Sequence, residues 1–397
     1  APYKSVVSHG WVLDEHGEQM HKSKGNGVDP IKIANVYGSD ILRLWVATID
    51  YQQDVRIGDN LIKQVAEQYR KIRNTLKFIS WNLVDFDLNE AKEFTKVDLY
   101  ILAKLNELIK SVTAHFEKYD FSSATSEIMN FMSFDLSTFY LDISKDPLYC
   151  DAKDSLRRRQ IQTVYYRVGE ALLRMLNPIL PFTMDEFNLN MPGKRAENVQ
   201  YLDYPKAENI DNTELLKEYD ELLELRSTVL KALEEARSNK VIGSGQEAKI
   251  TIVESEVSKR FTLDELAKIF VVSEVKYGNE LKVEHHAGHK CERCWNYTND
   301  EILDAASNDK IETYYVPINK TKTIPMTTSK EEGSSKKEDQ IPISQKDEKV
   351  IKAEKVEPDK KFKTLYNTLD DILDANPNEE IECYYMPIKN TEKVILK

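Results

Sequence analysis

The chain has 397 residues and a mass of 46.0 kDa, which is room for two or three domains rather than one. A hydrophobic fraction of 41% allows buried cores, while a formal net charge of −12 excludes a protein that coats nucleic acid through bulk positive charge, though not one with a local basic face. Four cysteines (Cys150, Cys291, Cys294, Cys383) are too few for a disulfide scaffold, and no run approaches the 18 apolar residues of a membrane span, so a reducing, cytoplasmic setting is expected. In chain order, Tyr3–Val7 and Gly10–Leu13 read as strands, and Asp14-Glu15-His16-Gly17 as a turn. The start on Ala1-Pro2-Tyr3, with neither initiator Met nor a signal-peptide core, reads as the interior of a longer sequence. A basic, glycine-bearing loop follows, His21-Lys22-Ser23-Lys24-Gly25-Asn26-Gly27. Asp29-Pro30 then starts a short helix, and Ser39-Asp40 is expected to cap the next.

From residue 59 to 205 the pattern is helical. Leu61, Val65, Tyr69, Ile72, Leu76 and Ile79 recur at three- and four-residue spacing, as a buried face requires. Asp98–Tyr119, Phe121–Ile143 and Leu156–Leu176 supply three more helices, the last stopped by Asn177-Pro178. Four long helices with short links make a bundle. Tyr165, Tyr166 and Trp81 are expected in its core. Beyond it, Glu214–Ser238 reads as a charged helix, Ala248–Val253 and Ile269–Val275 as strands, and Leu263–Lys268 as a small helix between them. Residues 321–363 are a Lys/Glu/Ser/Pro tract with too little apolar surface to offset ordering entropy, and are expected to be disordered. Thr298–Ile318 recurs as Thr368–Ile388, a repeated module of an acidic helix followed by a strand.

A lysine on a loop beside glycine can follow a phosphate group and neutralise charge developing there, although by spacing alone a solvated turn explains the same residues. The surroundings of the loop are more specific. Ser8-His9-Gly10-Trp11-Val12-Leu13-Asp14 precedes it, and Gly38-Ser39-Asp40-Ile41-Leu42-Arg43-Leu44-Trp45-Val46 and Tyr69-Arg70-Lys71-Ile72-Arg73-Asn74-Thr75 follow. Phe139-Tyr140-Leu141-Asp142-Ile143-Ser144-Lys145-Asp146 and Cys291-Glu292-Arg293-Cys294-Trp295 complete the series. This succession resembles the C-terminal half of a bacterial-type isoleucyl-tRNA synthetase, a class I aminoacyl-tRNA synthetase, over roughly residues 1–297.

The resemblance implies a mainly α chain with α/β parts. Residues 1–58 would be the end of a Rossmann-type catalytic domain with its signature loop, and 59–205 a helical anticodon-binding domain. Residues 206–297 would be a small α+β tRNA-contacting region with a partial zinc knuckle. The first repeat copy would then occupy 298–320, the linker 321–363 and the second copy 364–397. It further implies ATP with Mg as cofactors, tRNA and isoleucine as partners, and isoleucine–tRNA ligase activity. Lys22 matches the signature lysine that meets the nucleotide phosphates and is the catalytic candidate, and Ser23 matches the final signature serine as a nucleotide-binding residue. Gln19 and His21 depart from the signature's first lysine and its serine, and Lys24 stands where an apolar residue is usual. The family's His-Ile-Gly-His element is absent upstream. His286-Ala287-Gly288-His289 carries similar letters at the wrong end, with no preceding parallel strand. The isolated chain is therefore expected not to aminoacylate.

Cys291 and Cys294 have the spacing of two zinc ligands, yet no second Cys-x-x-Cys follows, so a degenerate knuckle with free thiols is the favoured reading beside an intact zinc site completed by His285, His286 or His289. Lys63, Arg70, Lys71, Arg73 and Arg157-Arg158-Arg159 are the candidate basic groups for tRNA, with an ion-paired helix surface as the alternative for each. Two rival readings of the whole stay open: a non-catalytic tRNA-binding protein derived from a synthetase, and a valyl-type fragment.

Overall fold

A computed structural model describes residues 2–291 and 294–299, together with the backbone of six short-strand positions and two more beyond residue 364. The chain divides into two compact units, 1–322 and 323–397. Among the described residues it is mostly helical with some sheet.

The first unit opens on β1 (Val12–Leu13), which pairs in parallel with β2 (Val55–Arg56) through Val12↔Val55 and Leu13↔Arg56. Tyr3–Val7, expected as a strand, has no strand partner and runs as irregular chain, because a strand exists only through its ladder. Gly10 lies so close to the second segment that a Cβ there would sit 2.2 Å from the Gln53 carbonyl oxygen. Between the two strands lie α1 (Pro30–Tyr37) and α2 (Ser39–Thr48). Asp29 caps α1 by accepting from the Ile31 N–H at 3.0 Å. The expected Ser39-Asp40 cap is not one. Gly38 takes the N-cap position of α2, and buried Asp40 instead accepts from the Thr183 N–H (2.7 Å) and hydroxyl (2.6 Å), 143 residues away.

The bundle is built from α3 (Asp59–Trp81), α4 (Lys96–Glu117), α5 (Phe121–Asn130), α6 (Leu141–Ile143), α7 (Lys145–Cys150), α8 (Leu156–Leu176) and α9 (Pro181–Asn190). Between α5 and α6 the chain continues helically as a π-helix over Phe131–Tyr140, in which the Thr138 hydroxyl donates to the Ser133 carbonyl. α8 matches its expected bounds: Ser155 caps it by accepting from the Arg158 N–H, and the Asn177-Pro178 step ends it. On α3, Val65, Ile72, Leu76 and Ile79 are buried, but Ile62 rather than Leu61 opens the apolar face. Tyr165 is buried and Trp81 is not: its ring is 65% exposed, against the expectation of a core position.

The core continues past the bundle. α10 (Thr213–Ser238) packs on α4, with Tyr219 stacked on Tyr100 at 4.6 Å between ring centres. Buried Arg226 ties α10 onward by donating to the Ile269 carbonyl (2.8 Å) and the Thr138 carbonyl (3.1 Å). The small α/β part follows as β3 (Ala248–Val253), α11 (Leu263–Phe270), β4 (Glu274–Gly278) and β5 (Lys282–His285). β3 is central, parallel to β4 and antiparallel to β5. The run Ile269–Val275, expected as one strand, is split: Ile269 and Phe270 finish α11, Val271 turns the chain at φ 57°, and β4 starts at Glu274. A hairpin of β6 (His289–Lys290) and β7 (Tyr297–Thr298) closes this unit's described part.

In the second unit, β8 (Leu365–Tyr366) runs parallel to β9 (Glu382–Tyr385), and β9 antiparallel to β10 (Glu392–Lys393). All three strands fall within 364–397, the span expected as the second repeat copy. The first copy after Asn299, the tract 321–363 and all of 364–397 except these strand positions lie outside the described residues. No described helix is long and apolar enough to cross a membrane.

Candidate functional site

The basic loop is a single 3-10 turn, Lys22–Lys24, closed by Gly25 in the left-handed region (φ 65°), which glycine adopts without strain. Its two ends are clasped by Asn26. The Asn26 side-chain oxygen accepts from the His21 N–H (2.9 Å), and its amide donates to Asp14 (2.7 Å) and the Gln19 carbonyl (3.2 Å). Asp14 is the anchor of this arrangement. It also accepts from the N–H groups of His16 and Glu18 (3.0 and 2.8 Å), and the Asn26 amide first, then the Glu18 N–H, hold its carboxyl below the usual carboxylate range.

The two lysines of the turn differ. Lys24 donates to Glu18 at 2.9 Å, and that hydrogen bond and charge raise its pKa. Lys22 is exposed and meets no carboxylate among the described residues. Ser23, next to it, is exposed as well. The turn therefore offers one uncommitted ammonium and one hydroxyl on a clasped backbone, which is what an anionic group approaching the loop requires.

The basic residues of the bundle sort equally sharply. Arg157 is bound to buried Asp98, Arg158 to Asp85 (2.6 Å) and Arg159 to Asp87. Arg70 pairs with Glu67 (3.0 Å) and Arg73 with Glu186 (3.2 Å). The Arg157–Arg159 run is thus turned inward, Arg157 holding the start of α4 and Arg158 and Arg159 the loop after α3 onto α8, with acidic partners 59 to 73 residues away in sequence. Lys63 and Lys71 are exposed and have no ion pair among the described residues.

Cys291 and Cys294 stand at the hairpin. Asn296 fixes this turn to α7 by donating to Asp146 at 2.6 Å, and the Tyr297 N–H donates to the Ser273 hydroxyl at 2.6 Å. Burial, against the Asn296 N–H, pushes the Cys294 thiol up to about 11, helped by the Cys291 thiol beside it. A closed zinc site needs four donors, with the thiols as thiolates. Among the described residues no group of three or more His, Cys, Asp or Glu side chains is arranged to hold a metal ion, so the described donors do not fit such a site. His285 and His286 are committed elsewhere: His285 Nδ1 lies 2.9 Å from the His286 carbonyl, and buried His286 accepts from the Gly288 N–H (3.0 Å) and faces Glu274 (3.4 Å). Cys291→Ser is expected to leave the metal content of the purified chain unchanged by mass spectrometry. A stoichiometric zinc ion removed by that substitution would overturn the reading.

His286 gives a pH-dependence with a definite sign. Burial first, with Lys249 and Lys276 assisting against the opposing charge of Glu274, lowers its pKa below 6.5. The unfolded chain then binds the proton before the folded one. The contribution of neutral His286 is complete above pH 6.5 and is lost as pH falls through the lower folded value. Melting curves at pH 7.5 and 5.5 should show a loss of stability at the lower pH that is smaller in His286→Gln; an equal loss in both proteins refutes the assignment.

The family described as "tRNA synthetases class I (I, L, M and V)" matches residues 1–58, and the "Anticodon-binding domain of tRNA ligase" matches residues 98–252. The chain is 46% identical over 318 residues to isoleucine–tRNA ligase of Bacillus mycoides and 47% identical over 318 residues to that of Bacillus cytotoxicus. Each alignment covers 74% of this chain and 34% of the relative. The chain spans about a third of the length of these curated relatives. A solved methionyl-tRNA synthetase of Mycobacterium tuberculosis is also similar, at 22% identity and a TM-score of 0.41, covering 45% of this chain and 36% of that one. By these matches residues 1–58 are similar to the class I tRNA synthetases and residues 98–252 to the anticodon-binding domain of tRNA ligases, with isoleucine–tRNA ligases as relatives over 318 residues.

Proposed function

We propose that this chain supplies the ATP-phosphate loop and the anticodon-binding part of an isoleucine–tRNA ligase. The complete enzyme would join isoleucine to ATP, giving isoleucyl-adenylate and pyrophosphate, and then transfer the acyl group to tRNA. Lys22 would stabilise the negative charge that gathers on the leaving pyrophosphate, and Ser23 would bind the nucleotide phosphates beside it. Mg bound with ATP would share that neutralisation. The carrying observation is the sequence relationship to isoleucine–tRNA ligases, together with a clasped turn that leaves Lys22 uncommitted while Lys24 is held by Glu18. The helical domain over 59–205 would hold the anticodon arm, and 206–297 would add further tRNA contact, in a cytoplasmic enzyme.

The deciding experiment is isoleucine-dependent ATP–pyrophosphate exchange by the chain alone and by the chain combined with the remaining two thirds of a relative. Activity only in the combination supports the reading. The replacement of the signature's first lysine by Gln19 favours a second reading, a tRNA-binding protein without catalysis. Tight tRNA binding with no exchange in the combination would select it.

A further inference from the structure

The outward face of α3 has the composition of a surface for single-stranded RNA. Ile79 is fully buried, and two residues on, roughly 200° round a helix, Trp81 points to solvent. Lys63, Arg70, Asn74, Lys77 and Trp81 follow one another at seven-, four-, three- and four-residue steps and so share that outward face. Lys77 places its ammonium 4.4 Å from the centre of the Trp81 ring. From Lys63 to Trp81 the only carboxylate is Glu67, held by Arg70, while Lys63 and Lys71 have no ion pair among the described residues. Asp85 and Asp87, just past the helix, are held by Arg158 and Arg159. The ridge is therefore positive on a chain whose net charge is −12.

We infer that Trp81 is a stacking platform for an unpaired RNA base, with Lys63, Lys71 and Lys77 meeting the flanking phosphates along about 21 Å of helix. This rests on the tRNA-binding reading and adds the site. An exposed aromatic set among lysines is how single-stranded nucleic acid is held, because every base has a face to stack and every linkage a charge to meet. A protein-binding face would be depleted of lysine at its centre.

The test is binding of an isoleucine tRNA transcript, and of a blunt RNA duplex, to the full chain and its Trp81→Ala, Trp81→Phe and Lys71→Ala variants over a range of salt. Trp81 is exposed and Trp81→Phe keeps an aromatic ring, so both variants should fold; circular dichroism verifies this. Trp81→Ala should weaken tRNA binding roughly tenfold to a hundredfold, leave duplex binding unchanged, and be partly rescued by Trp81→Phe. Lys71→Ala should lower the salt slope by about 1. Wild-type binding that Trp81→Ala does not alter overturns the stacking site and leaves the tRNA reading standing. No tRNA binding by the wild type overturns both. Loss of self-association in Trp81→Ala with RNA affinity unchanged would make this face a protein interface and also overturn the inference.

Discussion

Replacing Lys22 by alanine is expected to lower isoleucine-dependent ATP–pyrophosphate exchange by on the order of 10²- to 10³-fold, read in an enzyme where this chain replaces the matching third of the Bacillus cytotoxicus ligase. The loss should fall on kcat. Charge on the leaving pyrophosphate is larger in the transition state than in bound ATP, so an ammonium placed there stabilises the former more. The KM for isoleucine should not change. Lys24→Ala is the informative control. Its ammonium is already engaged by Glu18 at 2.9 Å, so removing it takes away little free charge, and a loss within about threefold is expected. Equal losses in the two variants would show that the Glu18 contact opens during the reaction and that the turn acts through both lysines. Asn26→Ala, which removes the clasp between Asp14 and the His21 N–H, should raise the KM for ATP while leaving the chemical step less affected.

What the sequence made legible depended on how local its cause was. α8 could be bounded to the residue because Ser155 and Asn177-Pro178 mark its ends within the chain itself. The exposure of Trp81 was also legible: its distance from Ile79 excludes the buried stripe, and a composition-based expectation of aromatic burial obscured that phase. The split of Ile269–Val275 was not, since a short apolar run reads alike as a helix end or a strand until the cap at Val271 is seen. Distances in sequence hid the rest. Lys22 and Lys24 look equivalent in a basic loop, and only folding brings Glu18 to one of them. Arg157, Arg158 and Arg159 look like an RNA-binding run, and only the packing of α8 against the start of α4 and the loop after α3 supplies their three aspartates. Asp40 illustrates the same limit: a helix-capping residue by position, it serves Thr183 on α9.

Asp98→Ala is expected to be the most destabilising single substitution in the bundle, costing about 3–5 kcal/mol and lowering the Tm by roughly 10 °C. Asp98 is fully buried at the first turn of α4 and accepts from four donors: the Thr95 N–H (3.0 Å) and hydroxyl (2.8 Å), the Tyr140 hydroxyl (2.6 Å) and the Arg157 guanidinium. It thereby closes the N-terminal box of α4 and pins α4 to the end of the π-helix and to the start of α8. Alanine would leave the Tyr140 hydroxyl buried without its acceptor and Arg157 without its counter-charge, and the cost of stranding those groups exceeds that of losing one average hydrogen bond. Asp98→Asn keeps one acceptor oxygen and should recover part of the loss. Asp98→Ala combined with Arg157→Met should be less destabilised than the sum of the single variants, because the second change removes the charge that the first one stranded. Additive losses would mean that solvent reaches Arg157 freely, and the stability of the bundle would then rest on its apolar packing without this network.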